Sequence, residues 1–269
     1  MKSQTSLKSS NYYSNEMDWR YMSATYFKKF MKCEADALDC LQKPRETTST
    51  ALIIGNYLHS WFQGKEPHEQ FIADNKDMLF TKSGKKRADT VKCDAMIERL
   101  EKDKLFNFFY QNDQCQKEVV LSGTIAETEW KARIDCLNIE KGYFCDLKTT
   151  ADLHKRYWSK DKHSWVSFID AYNYALQMIV YKKLLQQKYH KPFNCYIFAV
   201  DKTAVPGIAA IEMPIEDMLP QLDVIRDYMP RVKAIMNGEE EPESCGVCDF
   251  CKSNQPLTGF IDPRQLLID

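Results

Sequence analysis

The sequence has no run of about eighteen or more apolar residues, which is the length that a membrane-spanning helix needs. Its beginning, MKSQTSLKSS, lacks the apolar stretch of a secretory signal peptide. Together these two absences predict a cytoplasmic protein that has no membrane partner.

The sequence also has almost no net charge, because its 37 Lys and Arg residues nearly balance its 38 Asp and Glu residues and leave a formal charge of −1. Such a chain has no overall positive field that would attract nucleic acid. Any contact with DNA therefore has to come from a local basic groove or from a ring of subunits.

Cysteine and apolar residues, by contrast, are plentiful. Ten cysteines in a cytoplasmic chain are expected to be free thiols or metal ligands and not a disulfide framework. With 269 residues, 44% of them hydrophobic, the chain can bury a large core as one large domain or two small ones.

Helical patterns precede and follow a group of three predicted strands, and two further strands come later, so the predicted fold class is α/β (α+β). The predicted strands are 116–121, 129–140, a strand from Tyr143, 193–201 and 207–213. We divide the chain into a partly ordered lead (1–20), a single domain (21–244) and a cysteine-bearing tail (245–269) that packs back on the first long helix.

The segment 130–150, WKARIDCLNIEKGYFCDLKTT, consists of two β-prone runs on either side of a turn. It predicts an antiparallel hairpin in which Gly142 takes a positive φ. Side chains alternate along a strand, so Asp146 and Lys148 project from the same face. Pairing across the turn brings Asp135 close to them, and such carboxylate oxygens suit Mg²⁺ or Mn²⁺.

The dipeptide I-D and the tripeptide D-L-K, with ten residues between the two acids, resemble the divided active-site signature of the PD-(D/E)xK nuclease superfamily. Asp135 and Asp146 stand at the two acid positions, Lys148 stands at the lysine, and Ile134 replaces the usual proline. The match extends in the same order to four further residues of the RecB-like and RecE-like branch, namely His59, Glu118, Gln177 and Tyr181.

This resemblance implies a restriction-endonuclease-like core, in which helices flank a mixed central β-sheet, and metal-assisted hydrolysis of a phosphodiester. The implied catalytic residues are Asp135, Asp146, Lys148, Glu118, Gln177 and Tyr181. The implied ligands of one or two Mg²⁺ or Mn²⁺ ions are Asp135, Asp146 and the Leu147 carbonyl, assisted by Glu118 or His59. Lys148 would position the attacking water and stabilise developing negative charge.

The tail contains a second cluster, in which Cys245, Cys248 and Cys251 form a C-x₂-C-x₂-C arrangement. This arrangement is closer to iron–sulfur spacing than to the paired C-x₂-C units of a zinc ribbon, and Cys33 is the candidate fourth ligand. AddB-type and CRISPR-associated nucleases of the superfamily are similar, and their four cysteines hold a four-iron–four-sulfur cluster. The cysteine spacing here is tighter, so zinc and metal-free thiols stay open as alternatives.

Two basic segments are candidates for binding DNA. The segment KSGKKR places Lys85, Lys86 and Arg87 before a helix, where they either contact phosphates or form a solvated turn. The segment 151–165 mixes Lys155 and Arg156 with two tryptophans, a composition that suits phosphate pairing and base stacking or else a plain surface loop.

The resemblance, the chain length and the absence of a helicase-like segment favour a RecE-like exonuclease of phage or prophage recombination. Such enzymes digest linear double-stranded DNA from 5′ to 3′, often as a homo-oligomeric ring, and hand the remaining strand to a single-strand annealing protein. Two alternatives stay open. One is a CRISPR-adaptation-type iron–sulfur nuclease, and the other is a non-catalytic DNA-binding module with the same fold.

Overall fold

The computed structural model describes residues 6–43, 49–159, 162–257 and 259–266. Residues 1–5 of the predicted lead, and residues 258 and 267–269 of the predicted tail, lie outside this description. Among the described helices, none combines the length and the apolar character that crossing a membrane requires.

The strands, in chain order, are β1 (Gln116–Ile125), β2 (Thr128–Asn138), β3 (Tyr143–Thr150), β4 (Tyr157–Ser159), β5 (Ser164–Val166), β6 (Asn194–Asp201) and β7 (Ile208–Glu212). The helices of the first half are α1 (Asn15–Arg20), α2 (Ala24–Lys32), α3 (Glu34–Gln42), α4 (Thr50–Gln63), α5 (Lys65–Asp74), α6 (Lys76–Leu79), α7 (Ala88–Glu101) and α8 (Lys104–Phe109). The helices of the second half are α9 (Phe168–Ala171), α10 (Tyr174–Tyr189), α11 (Ile215–Met218), α12 (Pro220–Met236) and α13 (Asp249–Asn254), and short 3₁₀ helices cover Ser9–Asn11 and Pro263–Leu266.

Five strands form a central sheet in the order β1-β2-β3-β6-β7. The pairs β1–β2, β2–β3 and β6–β7 are antiparallel, whereas β3–β6 is parallel, so the sheet is mixed. The predicted fold class and the predicted hairpin are therefore confirmed. Gly142 has a φ of 68° in the turn, as its position between the two strands required.

Helices cover both faces of this sheet and bury two hydrophobic cores. On one face, side chains of α2, α10 and α12 pack against strand residues such as Ile134, Phe144 and Ile197. On the other face, side chains of α4, α7 and α8 pack against Cys145 and Phe198. Burial of apolar side chains on both faces fixes the position of every strand that carries a candidate functional residue.

The sheet forks between β2 and β3. These two strands are paired only from Cys136↔Cys145 to Asn138↔Tyr143, although β2 stays paired with β1 as far as Thr128. Over the same stretch β3 stays paired with β6 as far as Thr150. The first residues beyond the last β2–β3 pair are Asp135 and Asp146, so both acids lie at the mouth of the fork.

Three predicted long helices are interrupted. Ser23 caps α2 through its hydroxyl, as expected, but the predicted helix 23–41 breaks at Cys33, whose backbone is extended (φ −165°, ψ 110°). The predicted helix 89–110 restarts where Asp103 caps α8. The predicted helix 166–189 begins as α10 after Asn173, whose side chain caps Leu176 N–H. In each case a side-chain cap or an extended residue overrides the apolar periodicity.

The basic and aromatic segment 151–165 is not a plain loop, because it contains β4 and the start of β5, which form a separate two-stranded antiparallel sheet. Trp158 and Trp165 are opposite each other in this small sheet. Sequence analysis missed the hairpin because each strand is only three residues long.

Candidate active site

Asp135 lies at the fork and contacts the strand that carries the second acid. Its Oδ2 accepts a hydrogen bond from the backbone N–H of Leu147 at 2.8 Å. The carboxylate thus accepts a backbone N–H that no longer has a partner in the β2–β3 ladder. The two acids lie close enough that the negative charge of Asp135 contributes to raising the pKa of Asp146.

Asp146 is almost fully buried and contacts two other residues of the predicted catalytic set, Lys148 and Gln177. Its Oδ2 lies 2.7 Å from Lys148 Nζ, and its Oδ1 accepts a hydrogen bond from Gln177 Nε2 at 2.9 Å. The same amide nitrogen donates to Tyr181 Oη at 3.1 Å. The expected proximity of Asp146 to Lys148 and of Gln177 to Tyr181 is therefore observed, while the catalytic roles of these residues stay predictions.

His59 reaches the fork from α4, on the opposite face of the sheet from α10. Its Nδ1 lies 3.6 Å from Asp135 Oδ2 and 3.8 Å from Glu118 Oε1. One ligand atom of each of these three residues lies within 4.8 Å of the other two. Asp146 is not a member of this group, and its oxygens contact Lys148 and Gln177 instead.

Glu118 has an unusual backbone for a strand residue. Its φ is 54°, in the left-handed region that a residue with a Cβ rarely occupies, although β1 stays in register with β2 on both sides of it. Its neighbours Lys117 and Val119 consequently face different cores, since Lys117 contacts Tyr110 whereas Val119 packs with the α2 and α10 side chains. Such local strain is typical of functional sites.

Two buried carboxylate oxygens at the fork each lie beside one cationic side chain. Arg133 Nε lies 2.7 Å from Glu118 Oε2, and Lys148 Nζ lies 2.7 Å from Asp146 Oδ2. Buried carboxylates are costly unless positive groups or hydrogen-bond donors compensate their charge.

Burial raises the pKa of Glu118 to about 7, and the charge of Asp135 acts in the same direction. Burial likewise raises the pKa of Asp146 to about 6, against the opposing effect of Lys148. Crowded carboxylates in a low-dielectric site favour protonation until a cation compensates their charge. The donor set of one imidazole and several carboxylate oxygens therefore fits a hard divalent ion such as Mg²⁺ or Mn²⁺.

Sequence analysis missed two cations beside this site. Lys28 on α2 donates to Tyr172 O at 3.0 Å, and its Nζ lies 5.2 Å from the Tyr174 ring centre, where Lys148 Nζ lies at 5.1 Å. Burial and then the charge of Lys148 lower the pKa of Lys28 to about 8. No sequence signal marks Lys28, whereas Arg133 could have been found, because it lies two residues before Asp135 on the same strand.

The first group of DNA-binding candidates is engaged in contacts within the chain. Lys86 Nζ lies 2.6 Å from Asp94 Oδ2, and Arg87 Nε donates to Phe80 O at 3.1 Å. Lys85 is exposed in the turn before α7. The structure does not bring these three residues into contact with the fork, and their predicted role in DNA binding stays a prediction.

The second group lies on a surface that leads to the fork. Lys155 and Arg156 precede the β4–β5 hairpin, where Trp158 and Trp165 are 52% and 60% exposed with ring centres 5.6 Å apart. An aromatic series connects this hairpin to the lysine of the fork, since ring centres are 5.6 Å apart for Tyr157 and Tyr172 and 6.0 Å apart for Tyr172 and Tyr174. Lys148 Nζ then lies over the Tyr174 ring. We name Tyr157, Tyr172 and Tyr174 the aromatic surface; Trp158 and Trp165 pair with each other and project from the other face of the hairpin.

The four predicted cysteine ligands converge. Cys33 Sγ lies 3.5 Å from Cys251 Sγ, Cys245 Sγ lies 3.9 Å from Cys251 Sγ, and all four Sγ atoms lie within 4.8 Å of one another. Backbone N–H groups of Val247 and Cys248 lower the pKa of Cys245 to about 6. We name Cys33, Cys245, Cys248 and Cys251 the four-cysteine site.

A mixed sheet flanked by helices, with two acids and a lysine at a fork between neighbouring strands, defines a restriction-endonuclease-like fold of the PD-(D/E)xK superfamily. The comparison with protein families agrees with this class. The model of a family described as a "PDDEXK-like domain of unknown function" matches residues 23–254, and the chain belongs to that family. The predicted superfamily is therefore confirmed.

A solved structure is also similar. The crystal structure of a "Putative exonuclease" from Eubacterium rectale superposes with a TM-score of 0.88 at 29% sequence identity. The match covers 97% of this chain and 98% of that one. No curated protein matches the chain. These similarities support a nuclease.

Proposed function

We propose that this protein is a metal-dependent deoxyribonuclease that degrades linear double-stranded DNA. The observation that carries the proposal is the fork, where the paired Asp146 and Lys148 lie beside the partly buried group of His59, Glu118 and Asp135. The family and the similar "Putative exonuclease" add support. Burying several carboxylates together is unfavourable because they lose their hydration. Such a cluster is therefore more typical of a functional site than of structural ion pairs at a surface.

The residues that would hold the divalent ion are His59, Glu118 and Asp135, with Asp146 and the Leu147 carbonyl as the further predicted ligands. A bound ion would polarise the scissile phosphate and lower the pKa of a water molecule, which are the usual contributions of a divalent metal to phosphoryl hydrolysis. The Leu147 N–H holds the Asp135 carboxylate in place at 2.8 Å.

The Lys148 ammonium would orient the attacking water and stabilise the negative charge that develops on the phosphate. Asp146 holds this ammonium at 2.7 Å, and Gln177 holds Asp146 in turn through its amide. Tyr181 fixes the Gln177 side chain by accepting its second N–H bond. These contacts preorganise the lysine before DNA binds, which lowers the cost of reaching the reactive geometry.

DNA would approach across the aromatic surface, where Lys155 and Arg156 contact phosphates, and the exposed tryptophans of the same hairpin would stack on bases. The basic turn at Lys85, Lys86 and Arg87 is a second proposed phosphate contact. Because the net charge is only −1, retention of DNA by a homo-oligomeric ring is part of the proposal.

The finer proposal is a 5′-to-3′ exonuclease of phage or prophage recombination that works in the cytoplasm with a single-strand annealing protein. In this proposal residues 21–244 form the nuclease domain, 1–20 precede it, and the tail 245–269 is attached through the four-cysteine site. The support is the resemblance of the ordered motifs to RecE-like enzymes.

One experiment tests both levels of the proposal. Linear and covalently closed circular duplexes are incubated with the protein and Mg²⁺ or Mn²⁺, in parallel with Asp146→Ala and with Asp89→Ala, a half-exposed carboxylate paired with Lys92, as a control. We expect degradation of the linear duplex only, no activity for Asp146→Ala and normal activity for Asp89→Ala. Duplexes labelled at one 5′ or one 3′ end give the polarity. Cleavage of the circle would contradict the exonuclease, and no degradation of either DNA would favour a binding module.

A further inference from the structure

The spacing of the sulfur atoms in the four-cysteine site limits what can lie between them. Four atoms that are all within 4.8 Å of one another fit inside a sphere of roughly 3 Å radius. A single tetrahedral zinc ion with Zn–S bonds of about 2.3 Å requires sulfurs about 3.8 Å apart. The two measured separations, 3.5 and 3.9 Å, lie on either side of that value.

An iron–sulfur cube needs a wider arrangement. Each of its four thiolates binds a different iron, so the body of the cluster, four irons and four sulfides, separates the cysteine sulfurs from one another. Eight atoms do not fit in the space between sulfurs that are mutually within 4.8 Å. The four-iron cluster that the resemblance to AddB-type nucleases implies therefore does not fit this site.

We propose that the four-cysteine site holds one zinc ion, coordinated tetrahedrally by four thiolates, and not an iron–sulfur cluster. Soft thiolate donors in a closed tetrahedral set favour zinc, and a site without an open position is structural. The inference is independent of the proposed nuclease activity, because it depends only on the cysteines.

The backbone around the cysteines supports thiolate ligands. Cys248 N–H donates to Cys245 Sγ at 3.3 Å, and Cys251 N–H donates to Cys248 Sγ at 3.4 Å. Gly246 between the first two ligands has a φ of 71°, which lets the chain turn back around the site. Main-chain N–H groups directed at sulfur stabilise its negative charge and orient it toward a shared cation.

The position of Cys33 explains what the ion would do. Cys33 is the extended residue between α2 and α3, and the next residue, Glu34, accepts hydrogen bonds from Arg231 and from Glu243 N–H, both at 2.8 Å. The ion would therefore clamp the tail to the C-terminal end of α2, the helix that carries Lys28 beside the active site. Closing a loop of this length restricts the unfolded chain strongly.

The test begins with the metal content of the full-length protein, purified without chelator and dialysed against excess Mg²⁺ to clear the carboxylate site. We expect one zinc per chain by plasma mass spectrometry and a colourless solution. Replacement by Co²⁺ should give the intense visible bands of a tetrahedral thiolate site. Three results would each overturn the proposal. One is iron in place of zinc, another is a brown solution with absorbance near 400 nm and about four irons per chain, as the cluster requires, and the third is four thiols without metal.

Variants locate the ion without reference to nuclease activity. Cys248→Ser should contain about one zinc less per chain than the wild type, whereas Cys248→His should retain the zinc, because Cys₃His sites bind zinc well. Cys40→Ser is the matched control, since this thiol lies on α3 outside the site, and it should retain the zinc. Loss of zinc from Cys40→Ser, or full zinc in Cys248→Ser, would contradict the assignment even if nuclease activity were absent.

Discussion

Asp135 Oδ2 accepts a hydrogen bond from the backbone N–H of Leu147 at 2.8 Å, in the fork where β2 and β3 separate. This bond attaches the first acid of the proposed active site to the strand that carries the second acid and the lysine. The relative position of the three groups is thus set by the sheet itself and not by a mobile loop, which is the arrangement that precise catalysis requires.

Removing the Lys148 ammonium from the fork should strongly reduce activity and have a smaller effect on the fold. We expect Lys148→Ala to lower kcat by about 100-fold or more, because a positioned cation at the developing charge is lost. The control is Lys162→Ala, which removes an exposed ion pair with Asp170 and should leave kcat unchanged. Steady-state hydrolysis of labelled linear duplex measures both. Wild-type kcat in Lys148→Ala would exclude a direct role for this lysine.

His59 is expected to act through metal affinity. We predict that His59→Gln raises the Mg²⁺ concentration for half-maximal activity by about tenfold or more, since a nitrogen donor is lost from the group with Glu118 and Asp135. Activity at saturating Mg²⁺ should recover a large part of the wild-type rate. His68→Gln is the control, because this buried histidine contacts Ser60 and not the fork. An unchanged Mg²⁺ requirement in His59→Gln would place the ion elsewhere.

Lys28 should contribute to substrate binding. We expect Lys28→Ala to raise KM for linear DNA by about tenfold, because one charge-assisted contact to a phosphate is lost. The neighbouring Lys29 is a matched control, since its Nζ is directed at Cys40 Sγ at 3.1 Å, away from Tyr174. If Lys28→Ala and Lys29→Ala have the same KM, Lys28 has no specific contact with the substrate.

The exposed tryptophans should matter for DNA and not for stability. We predict that Trp158→Ala together with Trp165→Ala weakens binding of single-stranded DNA by about tenfold or more, because stacking on each base is worth about 1–3 kcal/mol. The melting temperature should hardly change, since both rings are exposed. Phe108→Ala, which removes another exposed ring, should leave binding unchanged. Fluorescence anisotropy in the presence of Ca²⁺ measures the affinity. An equal loss of affinity in the double tryptophan variant and in Phe108→Ala would exclude a specific contact between the hairpin and DNA.

The pH dependence of stability should identify the role of Glu34. Burial acts to raise the pKa of Glu34, but hydrogen bonds from Arg231, Tyr228 and Glu243 N–H outweigh it, and the pKa lies at about 2 instead of 4.5. The native state therefore favours the ionised form. Its stabilising contribution is present above about pH 4.5 and is lost as the pH falls toward 2.

We consequently expect Glu34→Gln to lower the free energy of unfolding by about 2 kcal/mol at pH 7, since hydrogen bonds to a buried charge are lost. The difference from the wild type should shrink as the pH falls below about 4.5. Glu243→Gln, with an exposed side chain, should lose little at any pH. Urea titrations between pH 3 and pH 7 measure this, and a difference that grows toward low pH would contradict the assignment.

The sequence by itself determined the local relationships. The hairpin and the positive φ of Gly142 follow from turn chemistry, and the common face of Asp146 and Lys148 follows from the period of a strand. The contact between Gln177 and Tyr181 follows from their i, i+4 spacing on a helix. These relationships depend only on backbone geometry over a few residues, so they can be read without knowing the packing.

Only the tertiary structure decided the rest. It joined His59 to Glu118 and Asp135 from the far side of the sheet, placed Lys28 beside Lys148, and brought Cys33 to a tail more than 200 residues away. It also fixed the sulfur spacing that distinguishes one ion from a cluster. Distances between segments depend on where strands fork and how helices pack, and those depend on burial of the whole core, which no local pattern specifies.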